Sequence, residues 1–175
     1  MIELTETKMR EALNLLATHL DRPLTLLIGG GGAMLLAYHF PLGTSDIDAI
    51  PKGYSTDELK PFIEKVALEL ELPNDWLNPW FATFTYILPL DFEQRLKEVF
   101  NSGNLKAQAL GPEDILLMKC FAHRQKDIPH ARALLRLGAN FDSVFDQIDL
   151  LEQKKIPRCQ EAREFLEHLL ETEKG

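Results

Sequence analysis

A buried-strand pattern that leads directly into four consecutive glycines constrains this chain more than any other feature. The run Leu24–Ile28 is apolar, as in a strand covered on both faces, and Gly29–Gly32 follow it. Glycine lacks a Cβ, so consecutive N–H groups at a turn entering a helix are exposed and can bind phosphate oxygens. The sequence therefore predicts a strand, a phosphate-binding glycine turn and a short helix over Ala33–Phe40, ending before Pro41.

A pair of acids follows the glycine turn. Asp46 and Asp48 flank Ile47 in a predicted strand over 46–50, so side-chain alternation places both carboxylates on one face. Carboxylate oxygens are the ligands that Mg²⁺ prefers. The alternative is a pair of solvent-facing acids on an edge strand, but the apolar residues around them favour a packed strand. A phosphate-binding turn beside a metal-binding acid pair is the minimum apparatus for phosphoryl or nucleotidyl transfer.

The glycine run has rival interpretations. A dinucleotide fingerprint needs a third glycine at a fixed offset, and a P-loop needs a following Gly-Lys-Ser/Thr; the sequence has neither. A mobile loop and a phosphate-binding turn remain, and the downstream acids favour the second. Thr44 and Ser45 either supply hydroxyl groups to phosphate or simply form the turn before the acids.

The ordered set of motifs resembles the nucleotidyltransferase superfamily, in particular its small bacterial branch related to abortive-infection toxins. The resemblance covers roughly residues 24 to 138. It is carried by Gly30–Ala33, Thr44–Asp48, Trp76-Leu77-Asn78, Leu117–Arg124 and Lys126-Asp127. It implies an α/β fold, with a small mixed sheet flanked by helices and a helical C-terminal part.

The resemblance also implies an activity, which is transfer of a nucleotidyl group from a nucleoside triphosphate, with Mg²⁺, to an unknown acceptor. Asp46 and Asp48 would be the catalytic, metal-binding residues. The residues that would bind the nucleotide are Gly30, Gly31, Thr44, Ser45, Lys119 and Arg124. A protein side chain, a small molecule and an RNA end all stay open as acceptors.

The sequence departs from the family pattern at two points. An arginine often found two residues before the Thr is Leu42 here, and the predicted strand Ala82–Leu90 lacks the usual third carboxylate. Asp75 and Asp91, on either side of that strand, are the nearest candidates. These departures favour an alternative function, a catalytically inactive module that binds a nucleotide or a protein partner, such as a toxin–antitoxin component.

Lys119 and the aromatic residues after Asp75 each have two interpretations. Lys119 is the only charge in an apolar helical stretch, so it extends to water, meets a partner or reaches the phosphate site. Trp76, Trp80 and Phe81 either stack on a base or fill the edge of the core, and aromatics at such positions more often do the latter.

Composition and charge restrict the classes of function. The chain has 175 residues, 45% of them hydrophobic, and a net charge of −8 from 27 acids and 19 bases. That balance argues against extended nucleic-acid binding, which depends on Lys and Arg contacts to phosphate.

Cys120 and Cys159 lack metal-ligand spacing and predict a reduced, cytoplasmic compartment. The longest apolar stretch, 24–38, is too short to span a membrane.

The remaining pattern predicts a core over 1–110 and a helical part over 111–175, packed as one unit. We expect an amphipathic helix to about residue 20, a capping-box helix from Ser55 toward Leu70, and a strand over Leu105–Leu110. We also expect helices over Asp91–Phe100, from Pro112, over Ile128–Leu137 with Asp127 as its cap, Phe141–Leu151 and Arg158–Glu171.

Overall fold

The apolar run Leu24–Ile28 forms the central strand, β1, of a mixed sheet. The computed structural model describes residues 4–41, 43–79 and 85–173. Over those residues the fold is α/β, as predicted, with five strands, seven α-helices and a helical C-terminal part. The chain divides into two compact units, Met1–Thr83 with Leu96–Leu110, and Phe84–Arg95 with Gly111–Gly175.

The first unit contains all five strands of the described sheet. Its elements are α1 (Glu6–His19), β1 (Leu24–Ile28), α2 (Gly30–Tyr38), β2 (Ile47–Lys52), α3 (Thr56–Leu70), β3 (Leu77–Asn78), β4 (Lys97–Ser102) and β5 (Leu105–Ala109). The strands lie in the order β3-β2-β1-β5-β4. β1 pairs antiparallel with β2 and parallel with β5, and this arrangement brings the starts of α2 and β2 to the same end of the sheet.

Local capping explains where two of these helices begin. The Oγ1 of Thr5 accepts a hydrogen bond from the N–H of Lys8 at the start of α1, at 3.3 Å. Ser55 and Glu58 exchange side-chain and backbone hydrogen bonds at the start of α3, which confirms the predicted capping box. Both helices therefore satisfy part of their N-terminal N–H groups within their own sequence.

Helix α2 has no charged side chain at its C-terminal end, and cations from other elements bind its carbonyls instead. Lys97 Nζ on β4 donates to the carbonyl of Ala37 at 2.6 Å, and Arg10 Nη2 on α1 donates to that of Leu36 at 3.4 Å. A cation at this end of a helix complements the negative end of its dipole. The apolar helix is thus fixed by charges that its own sequence does not supply.

Replacement of Lys97 by methionine is expected to lower the free energy of unfolding by about 1 kcal/mol, because the carbonyl of Ala37 loses a charged donor. Urea denaturation followed by circular dichroism measures the change. Lys106→Met is the control, since Lys106 makes only a partly exposed ion pair with Glu98 at 3.4 Å. Equal losses in the two variants would contradict the assigned role of Lys97.

The second unit is helical around a buried α4. Its elements are α4 (Pro112–Ala122), α5 (Ile128–Arg136), α6 (Phe141–Gln153) and α7 (Cys159–Glu173), with 3-10 turns at 85–87, Phe92–Arg95 and Gln125–Asp127. Arg95 makes a bidentate ion pair with the buried Asp114, at 3.1 and 2.9 Å, and so joins a 3-10 turn to the start of α4. In the described part of the chain, no helix combines the length and the apolar character that crossing a membrane requires.

Two secondary-structure predictions for the segment 82–100 are wrong. The described part of the predicted strand Ala82–Leu90 is not extended, because residues 85–87 form a 3-10 turn whose burial does not alternate; 82–84 lie outside the described residues. The predicted helix Asp91–Phe100 is a 3-10 turn at Phe92–Arg95 followed by β4. β4 forms because a two-residue loop, with Gly103 at a φ of +54°, folds it back onto β5.

Candidate functional site

The glycine run forms the first turn of α2 rather than a loop before it. The sequence predicts a start at Ala33, but the helix begins at Gly30, with Gly29 as its N-cap. The first helical bond joins the N–H of Ala33 to the carbonyl of Gly29, at 3.1 Å. The preceding glycine N–H groups lie in the turn that has no intrahelical acceptors, so they are placed to bind an anion.

The glycines allow the acid-bearing segment to approach the start of α2 closely. Gly30 has a φ of +55°, and a Cβ at this position would lie 2.6 Å from Oδ2 of Asp48. A Cβ on Gly31 would lie 2.8 Å from Oγ1 of Thr44. The Cβ of any larger residue at position 30 or 31 would collide with one of these two side-chain oxygens. The glycine turn and the carboxylate of Asp48 are therefore immediate neighbours.

Hydrogen bonds hold Asp48 in this position. Its carbonyl accepts from the N–H of Gly29 at 3.0 Å, and its Oδ1 accepts from Nδ2 of Asn78 at 2.9 Å. Asp48 and Asn78 are register partners on β2 and β3. Asn78 was expected only as part of the Trp76-Leu77-Asn78 motif, and its contact with Asp48 was not predicted, because it depends on this strand register.

Asp46 lies just before β2, which begins at Ile47. Ile47 is fully buried while Asp46 and Asp48 are half-buried, so the predicted packing of Ile47 in the core is confirmed. Oδ1 of Asp46 accepts from the hydroxyl of Ser45 at 3.1 Å. That the two carboxylates share one metal ion stays a prediction.

Among the residues that the structure describes, no third carboxylate joins this pair in a metal-binding cluster. Across 4–41, 43–79 and 85–173, no three side chains of His, Cys, Asp or Glu gather closely enough to hold a metal ion. Asp75 is exposed, and Asp91 belongs to the second unit, where it pairs with Arg95 at 3.1 Å. Leu42, at the family's arginine position, lies outside the described residues, as do Trp80 and Phe81.

Trp76 fills the core rather than a base-stacking site. The side chain is 0% exposed, and its indole N–H donates to the carbonyl of Ile63 on α3 at 3.0 Å. Its own carbonyl accepts from the N–H of Ile47 at 2.8 Å. Trp76 therefore joins α3 to the start of the strand that carries Asp48.

Lys119 and Arg124 lie in the second unit, where both pair with Asp127. Lys119 Nζ is 2.8 Å from Oδ1 of Asp127, and the two side chains are only 6% and 3% exposed. Arg124 Nε donates to Oδ2 at 2.6 Å. Of the interpretations open for Lys119, the structure shows a carboxylate partner. That these two cations contact a nucleotide stays a prediction.

Asp127 is the N-cap residue of α5, as predicted, but its carboxylate is bound by these cations and makes no capping hydrogen bond to the helix. Burial alone would raise the pKa of Asp127, but the hydrogen bond from Arg124 and the charge of Lys119 outweigh it and lower the pKa. Burial, with the nearby charge of Lys119, lowers the pKa of His130 to about 4, so this imidazole is neutral at pH 7.

Comparison with known proteins agrees with the motifs of the first unit. A family model described as "Nucleotidyltransferase of unknown function (DUF6036)" matches residues 6–153, which include every element from α1 to α6. No curated protein and no solved structure matches the chain significantly. Since the family model covers most of the sequence, the chain belongs to this DUF6036 family of nucleotidyltransferases.

Proposed function

We propose that this protein transfers a nucleotidyl group from a nucleoside triphosphate, with Mg²⁺, to the hydroxyl group of an acceptor. The observation that carries the proposal is the close approach of the Asp48 carboxylate to Gly30 at the start of α2. It brings an anion-binding turn and a metal-binding side chain into one small region of the first unit. Membership of a nucleotidyltransferase family supports this assignment.

The glycine turn is the proposed phosphate site. The backbone N–H groups of Gly30 and Gly31 lie at the positive end of α2, where phosphate oxygens bind favourably. Thr44 lies against Gly31, and the exposed hydroxyl of Ser45 follows it in the chain. We assign these two hydroxyl groups to the same phosphates.

Asp46 and Asp48 are the proposed magnesium ligands. They offer hard oxygen donors and both residues are half-buried, with Oδ2 of Asp48 only 2.6 Å from the position that a Cβ on Gly30 would take. This donor set fits Mg²⁺, which commonly takes one or two carboxylates together with substrate phosphates and water. When bound, Mg²⁺ would neutralise charge that develops on the phosphates during transfer.

In the proposed reaction, the oxygen of the acceptor hydroxyl forms a bond to the α-phosphorus of the triphosphate. The bond from the α-phosphorus to the oxygen that bridges it to the β-phosphorus breaks, and pyrophosphate leaves with the bonding electrons. The hydroxyl proton passes to a carboxylate oxygen of Asp48 and then to water. Asn78 holds that carboxylate through its hydrogen bond to Oδ1.

Thermal unfolding with each of the four nucleoside triphosphates, with and without Mg²⁺, tests the proposal. A ligand at about a hundred times its Kd stabilises by about 2.7 kcal/mol, so we expect Tm to rise by about 5–10 °C with Mg²⁺. The double variant Asp46→Asn/Asp48→Asn is expected to lose this rise and at least about 99% of pyrophosphate release. Asp142→Asn/Asp146→Asn removes the same charge from exposed positions on α6 and is the matched control.

An inactive binding module is the second candidate, favoured by the missing acid cluster across the described ranges. A rise in Tm that needs no Mg²⁺ and persists in Asp46→Asn/Asp48→Asn would replace the enzyme by this candidate. If no triphosphate raises Tm, the nucleotide proposal fails. The remaining hypothesis is then a protein-binding role, such as the toxin–antitoxin component that the resemblance to abortive-infection toxins implies.

A further inference from the structure

A cleft of about 460 Å³ lies in the first unit, between α3 and the segment that contains β3. This volume is in the range typical of sites for small molecules. α3 contributes side chains spaced three or four residues apart, which share one face of the helix. The lining residues that matter here are Asp57, Lys60, Ile63, Glu64, Asp75 and Asn78.

Asn78 connects the cleft to the proposed reaction site. It lines the cleft, and its Nδ2 donates to Oδ1 of Asp48 at 2.9 Å. A molecule in contact with Asn78 is therefore one side chain away from the carboxylate that we assign to metal binding and proton uptake. The cleft lies beside the proposed site and does not include the glycine turn.

The charges of the lining favour a cation. Asp57, Glu64 and Asp75 are exposed carboxylates, and Lys60 is the one base among the lining residues. Lys60 Nζ lies 3.9 Å from Glu64, so this exposed pair is weak. The start of α3 does not attract an anion strongly, because its capping box already binds part of its N-terminal N–H groups.

We propose that this cleft holds the acceptor of the nucleotidyl group, and that the acceptor is a small molecule with a hydroxyl group and at least one protonated amine. The inference rests on the proposed function. The carboxylates of Glu64 and Asp75 bind the ammonium group, and Ile63 contacts the carbon skeleton. Asn78 directs the hydroxyl group toward Asp48.

Binding of diglucosamine, compared with its diacetylated form, tests the cleft on its own. The two disaccharides share a skeleton, but only the first carries protonated amines, and titration calorimetry without nucleotide or metal measures both. We expect the amine form to bind at least about fivefold more tightly. Glu64→Gln is expected to weaken its binding about threefold, and Lys60→Gln to strengthen it by a similar factor. Glu11→Gln, an exposed acid on α1 that pairs with Lys8, is the control and leaves binding unchanged.

The outcomes separate this inference from the proposed function. Equal binding of the two disaccharides, or an affinity that Glu64→Gln does not change, overturns the cleft as a site for amines. If Mg²⁺ and a triphosphate still raise Tm in that case, the proposed function stands without an acceptor site in the cleft. If diglucosamine binds as expected but no triphosphate raises Tm, the cleft is not an acceptor site. Transfer of label from an α-³²P-labelled triphosphate to diglucosamine, reduced by Glu64→Gln, supports both the acceptor cleft and the proposed nucleotidyl transfer.

Discussion

Replacement of Asp127 by alanine is expected to lower the free energy of unfolding by about 3–5 kcal/mol. The variant leaves the ammonium group of Lys119 buried, with a side chain only 6% exposed, and without the carboxylate 2.8 Å away. A buried charge that loses an ion-pair partner is less well compensated for its removal from water, and this loss destabilises the folded state. Guanidinium denaturation followed by circular dichroism measures the loss.

A matched double variant separates the cost of removing one carboxylate from the value of the whole buried ion pair. Lys119→Met with Asp127→Leu replaces both buried groups by apolar side chains of similar size, and we expect its stability within about 1.5 kcal/mol of the natural protein. Arg124 keeps its solvation in this variant because its side chain is 57% exposed. A loss below about 1 kcal/mol in Asp127→Ala would show that Lys119 reaches water by another route.

The same pair has a defined pH dependence. The pKa of Asp127 in the folded protein lies below its ordinary value of 3.8, so its contribution to stability is complete above that value. The contribution is lost as the pH falls through the lower, folded-state pKa. We therefore expect the natural protein to lose more stability below about pH 4 than the double variant does.

Replacement of Trp76 by alanine is expected to lower the free energy of unfolding by about 3–5 kcal/mol. The indole ring is fully buried, so its removal leaves a cavity and also deletes the hydrogen bond to the carbonyl of Ile63. Because the carbonyl of Trp76 binds the N–H of Ile47, the start of β2 is expected to loosen. Urea denaturation followed by circular dichroism tests the first effect, and hydrogen exchange at Ile47 tests the second.

Two control variants define the cause of this loss. Trp76→Phe keeps most of the apolar volume and removes the N–H donor, and we expect a loss of about 1–2 kcal/mol. Leu68→Ala changes an 82% exposed side chain on α3 and is expected to stay within about 0.5 kcal/mol of the natural protein. A small effect of Trp76→Ala would contradict its role as the link between α3 and β2.

The sequence alone predicts secondary structure correctly where interactions between neighbouring residues determine it. The run Leu24–Ile28 has an unambiguous apolar pattern, and the Ser55–Glu58 capping box contains its own hydrogen-bond partners, so both elements are confirmed. The glycine turn was predicted to precede a helix that starts at Ala33, whereas Gly30 is already the first residue of α2. The close approach of Asp48 and Thr44 to this turn was not predictable locally, because these residues are distant from it in sequence.

Contacts between residues distant in sequence explain the other differences between the predicted and the observed structure. The segment of β4 was predicted to be helical, and its antiparallel pairing with β5 makes it a strand. Asp127 has the residue type of an N-cap, but the buried ammonium group of Lys119 competes successfully for its carboxylate. The role of Asn78 depends on its register with Asp48 across two strands, which no local pattern gives.

The outer strands of the described sheet also affect how copies of this protein behave at high concentration. β3 has two residues, and β4 carries the exposed charges of Lys97 and Glu98 with a register shift between Glu98 and Phe100. Short, charged or bulged strands are poor templates for pairing with another chain. The strongly apolar β1 lies in the centre, shielded by a neighbour on each side. Fibril growth from the native state by strand addition is thereby disfavoured.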